Sequence, residues 1–187
     1  MTEQKRADAR RNRELILAVA EQEVAAHGAG ASLEQIARVA GVGSATVRRH
    51  FPTRHALLAA VSAHRVEALC ARARELTDVG DSRESLLAWL DDVVAYCVVA
   101  KGLGTALAYE GDPVHGNSCA TVISDAARPL LRRAIDDGVV APDVTVVELV
   151  TLIVGIVMVT EGHQDPAAAA ERLFALAVAG ISPRGES

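Results

Sequence analysis

Aromatic side chains are scarce in this chain: one Trp, two Tyr and two Phe make up 3% of its 187 residues. Half of the residues are nonetheless hydrophobic, so alanine, valine and leucine must fill any core. Cysteine is equally sparse. Cys70, Cys97 and Cys119 are odd in number, widely spaced and in no C-x-x-C arrangement, which excludes a disulfide scaffold; reduced, buried thiols are expected. Long apolar runs are missing too. The longest uncharged run of the second half, 149–160, has twelve residues, well short of the roughly 20 that span a bilayer. The opening MTEQKRADARRNRELILA is charged, unlike a secretory leader. A soluble, cytoplasmic protein without membrane contact is expected.

Proline is also infrequent, at six residues, while alanine-rich segments punctuated by caps recur every twenty residues or so. That pattern predicts an all-α fold. Leu15, Ile16, Val19, Ala20 and Val24 repeat at helical spacing until His27-Gly28, after a basic arm (Lys5, Arg6, Arg10, Arg11, Arg13) expected to be mobile or frayed. Later helices are expected from Thr53 to Leu76, from the Asp78–Ser82 turn to Lys101-Gly102, and from Cys119 to Ile135. Two more should run to Val159 from a cap at either Asp143 or the Thr145-x-x-Glu148 box, and from Asp165-Pro166 to Val178. The 102–117 stretch is the least regular. Pro129 should kink its helix, at about 3 kcal/mol unless packing compensates.

The stretch 32–58, SLEQIARVAGVGSATVRRHFPTRHALL, organises the rest. Ser32 with Gln35 has capping-box spacing, and Leu33, Ile36, Ala37 and Ala40 share a helical face. Gly41 sits where that helix should stop. A second helix is expected from Ser44 as N-cap, with Val47 as its inward anchor, closing before Pro52. Two short helices joined by a glycine turn, the second carrying Arg48 and Arg49, match a helix-turn-helix. Charge agrees. Residues 1–54 hold nine Lys/Arg against six Asp/Glu, net +3, and the rest hold ten against eighteen, net −8. A net of +3 is within ordinary scatter alone, but beside this motif it suits an end that meets phosphate.

The order of capped helix, AGV turn, short helix ending in HF, Pro52 and a new helix opening TRHALL resembles the DNA-binding segment of TetR-type transcriptional regulators. The resemblance covers about a quarter of the chain. It implies a recognition helix in the major groove of near-palindromic double-stranded DNA, with Ser44, Ala45 and Thr46 at its groove-entering end. Arg48, Arg49 and His50 fall where base and backbone contacts are made, Ser32, the cap of the supporting helix, is also expected among the DNA-binding residues, and Arg54 falls at the phosphate-gripping start of the fourth. The family usually has an aromatic residue, most often tyrosine, where this chain has Arg48. Arginine there suits either guanine O6/N7 or a phosphate; His50 suits either a base contact or helix-end packing.

The expected organisation is a helix-turn-helix domain at 1–52, a helical effector-binding and dimerisation body at 53–181, and a disordered tail at 182–187. The helix 145–159 has no polar face, so it is expected to pair with the last helix and their copies in a homodimer through Val147, Val150, Val154, Val157, Leu173 and Leu176. Trp89, Tyr96, Tyr109 and His163, the few polar-tipped large residues of the body, are candidate effector-lining residues, each also a plausible core residue. His115 and Cys119, with Cys97, lack a fourth metal ligand, and Glu110 with Asp112 reads as a solvated turn. No cofactor or metal is expected. The resemblance implies a repressor released by a small, mainly apolar effector. The rivals are an architectural DNA-binding protein without effector and a helical enzyme, which would need a convergent ionisable set that the sequence lacks.

Overall fold

The computed structural model describes residues 2–108 and 115–181, with side chains described for 7–28, 30–100 and 121–180. All regular structure among them is helical: α1 (Thr2–His27), a 3-10 turn (Gly28–Gly30), α2 (Leu33–Val39), α3 (Ser44–His50), α4 (Arg54–Thr77), α5 (Ser82–Ala108), α6 (His115–Asp136), α7 (Val146–Thr160) and α8 (Pro166–Ile181). The expected all-α fold is the observed one.

Several boundaries differ from expectation for identifiable reasons. The basic arm is not separate: α1 is continuous from Thr2. Its first turns are rich in good helix formers, and Arg11 donates to Asp8 at 2.9 Å while Arg10 faces Glu14 at 3.7 Å. Such exposed pairs, three or four apart, add about 0.3–0.5 kcal/mol each. α5 does not stop at Gly102 but continues to Ala108. A helical glycine costs only about 1 kcal/mol, and no proline intervenes before Pro113. α6 starts at His115, ahead of Cys119, and runs through Pro129, which lies exposed. The tail 182–187 lies outside the described residues.

The chain divides into two compact units, Met1–His64 with Val99–Asp112, and Arg65–Val98 with Pro113–Ser187. The division falls inside α4 rather than before it. The first unit closes over Ile16, Ala20 and Val24 of α1, Ile36 and Ala37 of α2, Val47, Phe51, and Leu57 and Val61 of α4, all at most 3% exposed. The second is centred on Trp89, 1% exposed, whose indole Nε1 donates to the Leu69 carbonyl at 3.1 Å. Around it pack Leu90 and Val93 of α5, Leu130 of α6, Ile153 of α7 and Phe174 of α8. Arg133 of α6 donates to the carbonyls of Thr77, Val79 and Gly80, covering the open C-terminal end of α4.

The capping box of α7 is complete. Thr145 Oγ1 accepts the Glu148 N–H at 3.2 Å, and Glu148 Oε2 accepts the Thr145 N–H at 2.9 Å. The Thr145 hydroxyl, which also donates to Glu148 Oε2 at 2.7 Å, and then the Thr145 N–H hold the Glu148 carboxyl below the usual glutamate range. Within one chain, however, α7 is not buried all round. Leu149, Ile153, Ile156 and Val157 turn into the core, whereas Val147 (61% exposed), Leu152, Val154 (40%), Met158 and Val159 form an open apolar face that Leu176 of α8 (62%) resembles. Val157, expected at the dimer interface, is therefore a core residue of its own protomer, 6% exposed. Val150 and Leu173 are half-buried against that core.

Candidate nucleic-acid interface

The turn between α2 and α3 is built by its backbone. Gly41 takes φ +65°, the left-handed conformation that side chains resist. With it, the Val42 N–H reaches the Ala37 carbonyl at 3.0 Å and the Gly41 N–H reaches Arg38 at 3.3 Å. This pair of crossed bonds is the Schellman ending of a helix. The start of α2 is only half as expected. Ser32 Oγ accepts the Gln35 N–H at 3.3 Å, but Gln35 does not return the bond: its side-chain oxygen takes Arg38, and the Ser32 N–H turns to Glu23 at 3.4 Å. The N-cap of α3 is Gly43 rather than Ser44, so the Ser44 hydroxyl is not used as a cap. Thr53 Oγ1 caps the start of α4 by accepting the Ala56 N–H at 3.0 Å.

Burial then sorts the short α3 into two sides. Val47, 1% exposed, and the following Phe51, 2%, anchor it. Ser44, Ala45, Arg48 and Arg49 are exposed, and Thr46 and His50 are half-buried. Neither Arg48 nor Arg49 has an ion pair or hydrogen bond among the described residues, so both guanidinium groups remain available as donors. Arg54 is exposed but not wholly uncommitted, because one guanidinium nitrogen donates to the Ala31 carbonyl at 3.1 Å. That bond fixes the side chain and leaves its other N–H groups for a phosphate.

Two features escaped the sequence reading. Arg13 of α1 stacks its guanidinium over the Phe51 ring, 5.6 Å from the centroid, which brings a further cation to the end of α3. In the sequence Arg13 was one basic residue among five, with no signal to single it out. His50 and His55 each have a buried Nε2 with no hydrogen-bond partner. Burial, then the charges of Arg49 and Arg13, lower the His50 pKa below its ordinary value, which favours the neutral ring.

Comparison with known proteins bears directly on this arrangement. Residues 16–61 match the model of bacterial regulatory proteins, tetR family, and residues 81–183, over half the chain, match that of the transcriptional regulator SbtR-like, C-terminal domain. The chain belongs to the TetR family of transcriptional regulators. It is a DNA-binding transcriptional regulator and not an enzyme. A TetR transcriptional regulator from Streptomyces coelicolor is 32% identical and superposes with a TM-score of 0.78 over 92% of this chain and 99% of that one. A TetR transcription regulatory protein from Mycobacterium vanbaalenii is 34% identical, with a TM-score of 0.73 over 95% and 98%. A TetR-family regulator from Pectobacterium atrosepticum, 18% identical with a TM-score of 0.65 over 97% and 99%, shares the fold. A comparison with curated proteins finds no match.

In the second unit of this TetR-family chain, the candidate effector-lining residues among those described lie in different settings. Trp89 is core, with its N–H already satisfied. Tyr96 is half-buried against the same core. His163 is exposed beyond the end of α7, with Nδ1 3.1 Å from the Thr160 carbonyl. Tyr109 lies outside the described residues. So do the His115 and Cys119 side chains and the Glu110 and Asp112 pair; among the described residues no cluster of His, Cys, Asp or Glu is suited to a metal. Burial pushes the Cys97 thiol up to about 11, which makes it a poor nucleophile and a poor ligand. No helix among the described residues is long and apolar enough to cross a membrane.

Proposed function

We propose that this regulator is a homodimeric repressor that holds a near-palindromic operator through α3 and the first turn of α4, and that a small, mainly apolar effector releases it. The observation that carries the DNA half is the sorting of α3: one face anchored by Val47, the other presenting Ser44, Ala45, Thr46, Arg48 and Arg49 with both guanidinium groups uncommitted. Ser32 supports this face by capping α2, Arg54 grips phosphate beside it, and His50 packs at the helix end rather than reading a base, since its Nε2 is enclosed. The dimer half rests on the open faces of α7 and α8, with Val147, Val154 and Leu176 at the contact and Val150 and Leu173 at its edge.

Release requires the effector to prefer a conformation that binds DNA badly. Helix α4 contributes residues to both compact units, so it is the natural lever. A coupling of about 2–3 kcal/mol, roughly 30- to 150-fold in operator affinity, suffices for a switch. The test is reciprocity. Compounds found by thermal shift are titrated against the operator complex, and DNA must weaken the ligand by the same factor as the ligand weakens DNA. An architectural protein without effector is the second reading, favoured by the small volume, about 40 Å³, of the cleft among the described residues of the body. If every stabilising compound leaves operator affinity untouched, that reading replaces this one.

A further inference from the structure

One concave site in the second unit is chemically distinct from its surroundings. Leu87 and Leu90 of α5, Val139 and Val140 after α6, Leu149 of α7 and Val178 of α8 wall a half-open cleft of about 40 Å³, and Arg83 is the one charged residue lining it. The side chain of Arg83 is exposed and has no ion pair or hydrogen bond among the described residues. Asp81, two residues earlier, spends its carboxylate on the Glu84 N–H at 2.9 Å. Glu84 itself lies one position on, about 100° round the helix. An apolar slot with a single uncommitted guanidinium at its edge has the two halves of a recognition site for an amphipathic anion.

We propose that this cleft binds a short-chain aliphatic carboxylate, with the tail among the leucine and valine side chains and the carboxylate on the Arg83 fork. The size of the cleft sets the length. At about 10–15 Å³ per water-sized atom, it encloses roughly three carbons, so butanoate fills it and hexanoate extends into the open mouth. A planar carboxylate matches the bidentate guanidinium, and an ammonium is repelled by it. The proposal rests on the effector reading for its consequence at DNA, whereas binding itself stands apart from that reading.

The experiment is calorimetric titration of the full-length protein with acetate, butanoate and hexanoate, with butanol and butylammonium as controls. The expected result is saturable binding of butanoate and hexanoate at or below roughly 1 mM, tightening about fourfold for each CH2 that enters the slot. The alcohol and the amine should bind at least tenfold more weakly. Arg83→Gln should weaken butanoate at least tenfold, and Val178→Phe, which fills the slot, should abolish binding, both with the wild-type unfolding midpoint. Absence of saturable binding to wild type overturns the proposal, as does equal affinity for butanol or an unaffected Arg83→Gln. Operator affinity is measured on the same samples. Binding accompanied by weaker operator affinity supports site and release together. Binding without it supports the carboxylate site and counts against release through it.

Discussion

Two valines three residues apart on α7 should respond to the same substitution in opposite ways. Val154 is 40% exposed in the protomer and Val157 only 6%. Fully burying a valine, leucine or methionine contributes about 1.5–3 kcal/mol. Val147, Leu152, Val154, Met158, Val159 and Leu176 are each 39–69% exposed, so each retains about 1 kcal/mol of unused burial. Six residues from two copies give roughly 12 kcal/mol gross. Subtracting about 4 kcal/mol, the low end of the association cost, leaves the roughly −8 kcal/mol of a micromolar dimer. Val154→Asp removes about 1 kcal/mol of burial per copy and buries an unpaired carboxylate at about 3–5 kcal/mol more. The two copies together lose about 8–12 kcal/mol, well over a thousandfold in affinity. The protomer should keep its helical circular dichroism and sediment as a monomer at concentrations where wild type is a dimer. Val157→Asp should instead unfold the protomer, since its carboxylate has no route to water. Val154→Asp dimerising with wild-type affinity would refute the reasoning, and so would a wild-type chain that is monomeric at 100 µM.

Other outcomes follow from the same structure. Arg49→Ala and Arg54→Ala should each weaken DNA binding on every sequence tested, and each should make the salt dependence shallower by about one unit if the lost contact is a phosphate; fluorescence anisotropy at several salt concentrations measures this. Gly41→Ala forces a side chain into the left-handed region at about 1–2 kcal/mol, so thermal unfolding should come roughly 2–8 °C earlier. Because the folded His50 pKa lies below its ordinary 6.5, the unfolded chain binds more protons in the window just under that value. Stability is therefore present above 6.5 and declines as pH falls from there to the folded pKa. His50→Gln should flatten that part of the profile, and an unchanged slope in urea titrations would remove His50 as its source.

The local chemistry of the helix-turn-helix was legible residue by residue. Gly41 and Val47 each declare a constraint of their own: a left-handed turn and an inward anchor. The capping partner of Ser32 was not, because a glutamate nine residues upstream competes with Gln35 and only the fold brings it near. Helix α7 shows a different limit. A helix apolar on every position carries no polar side to mark which face turns outward, so Val157 and Val154 looked equivalent until packing separated them. Trp89 stayed open between two readings because a polar-tipped ring is as suited to a core with one satisfied hydrogen bond as to a pocket. The aliphatic cleft had no local signal at all. Its walls come from four places in the chain, and a leucine or valine beside a cavity looks like any other.

Recognition of a specific duplex by α3 is the claim on which the rest depends. Selection of bound duplexes from a random-sequence pool by the wild-type protein, followed by anisotropy titration of the enriched site at physiological salt, tests it directly. The expected product is a near-palindrome whose half-sites lie about one turn or a multiple of it apart, roughly 34 Å per turn. It should be bound at least about a thousandfold more tightly than unrelated duplex, with that preference lost in Arg48→Ala if this arginine reads a base. No enriched sequence, or an enriched one bound no better than random DNA, would contradict the account.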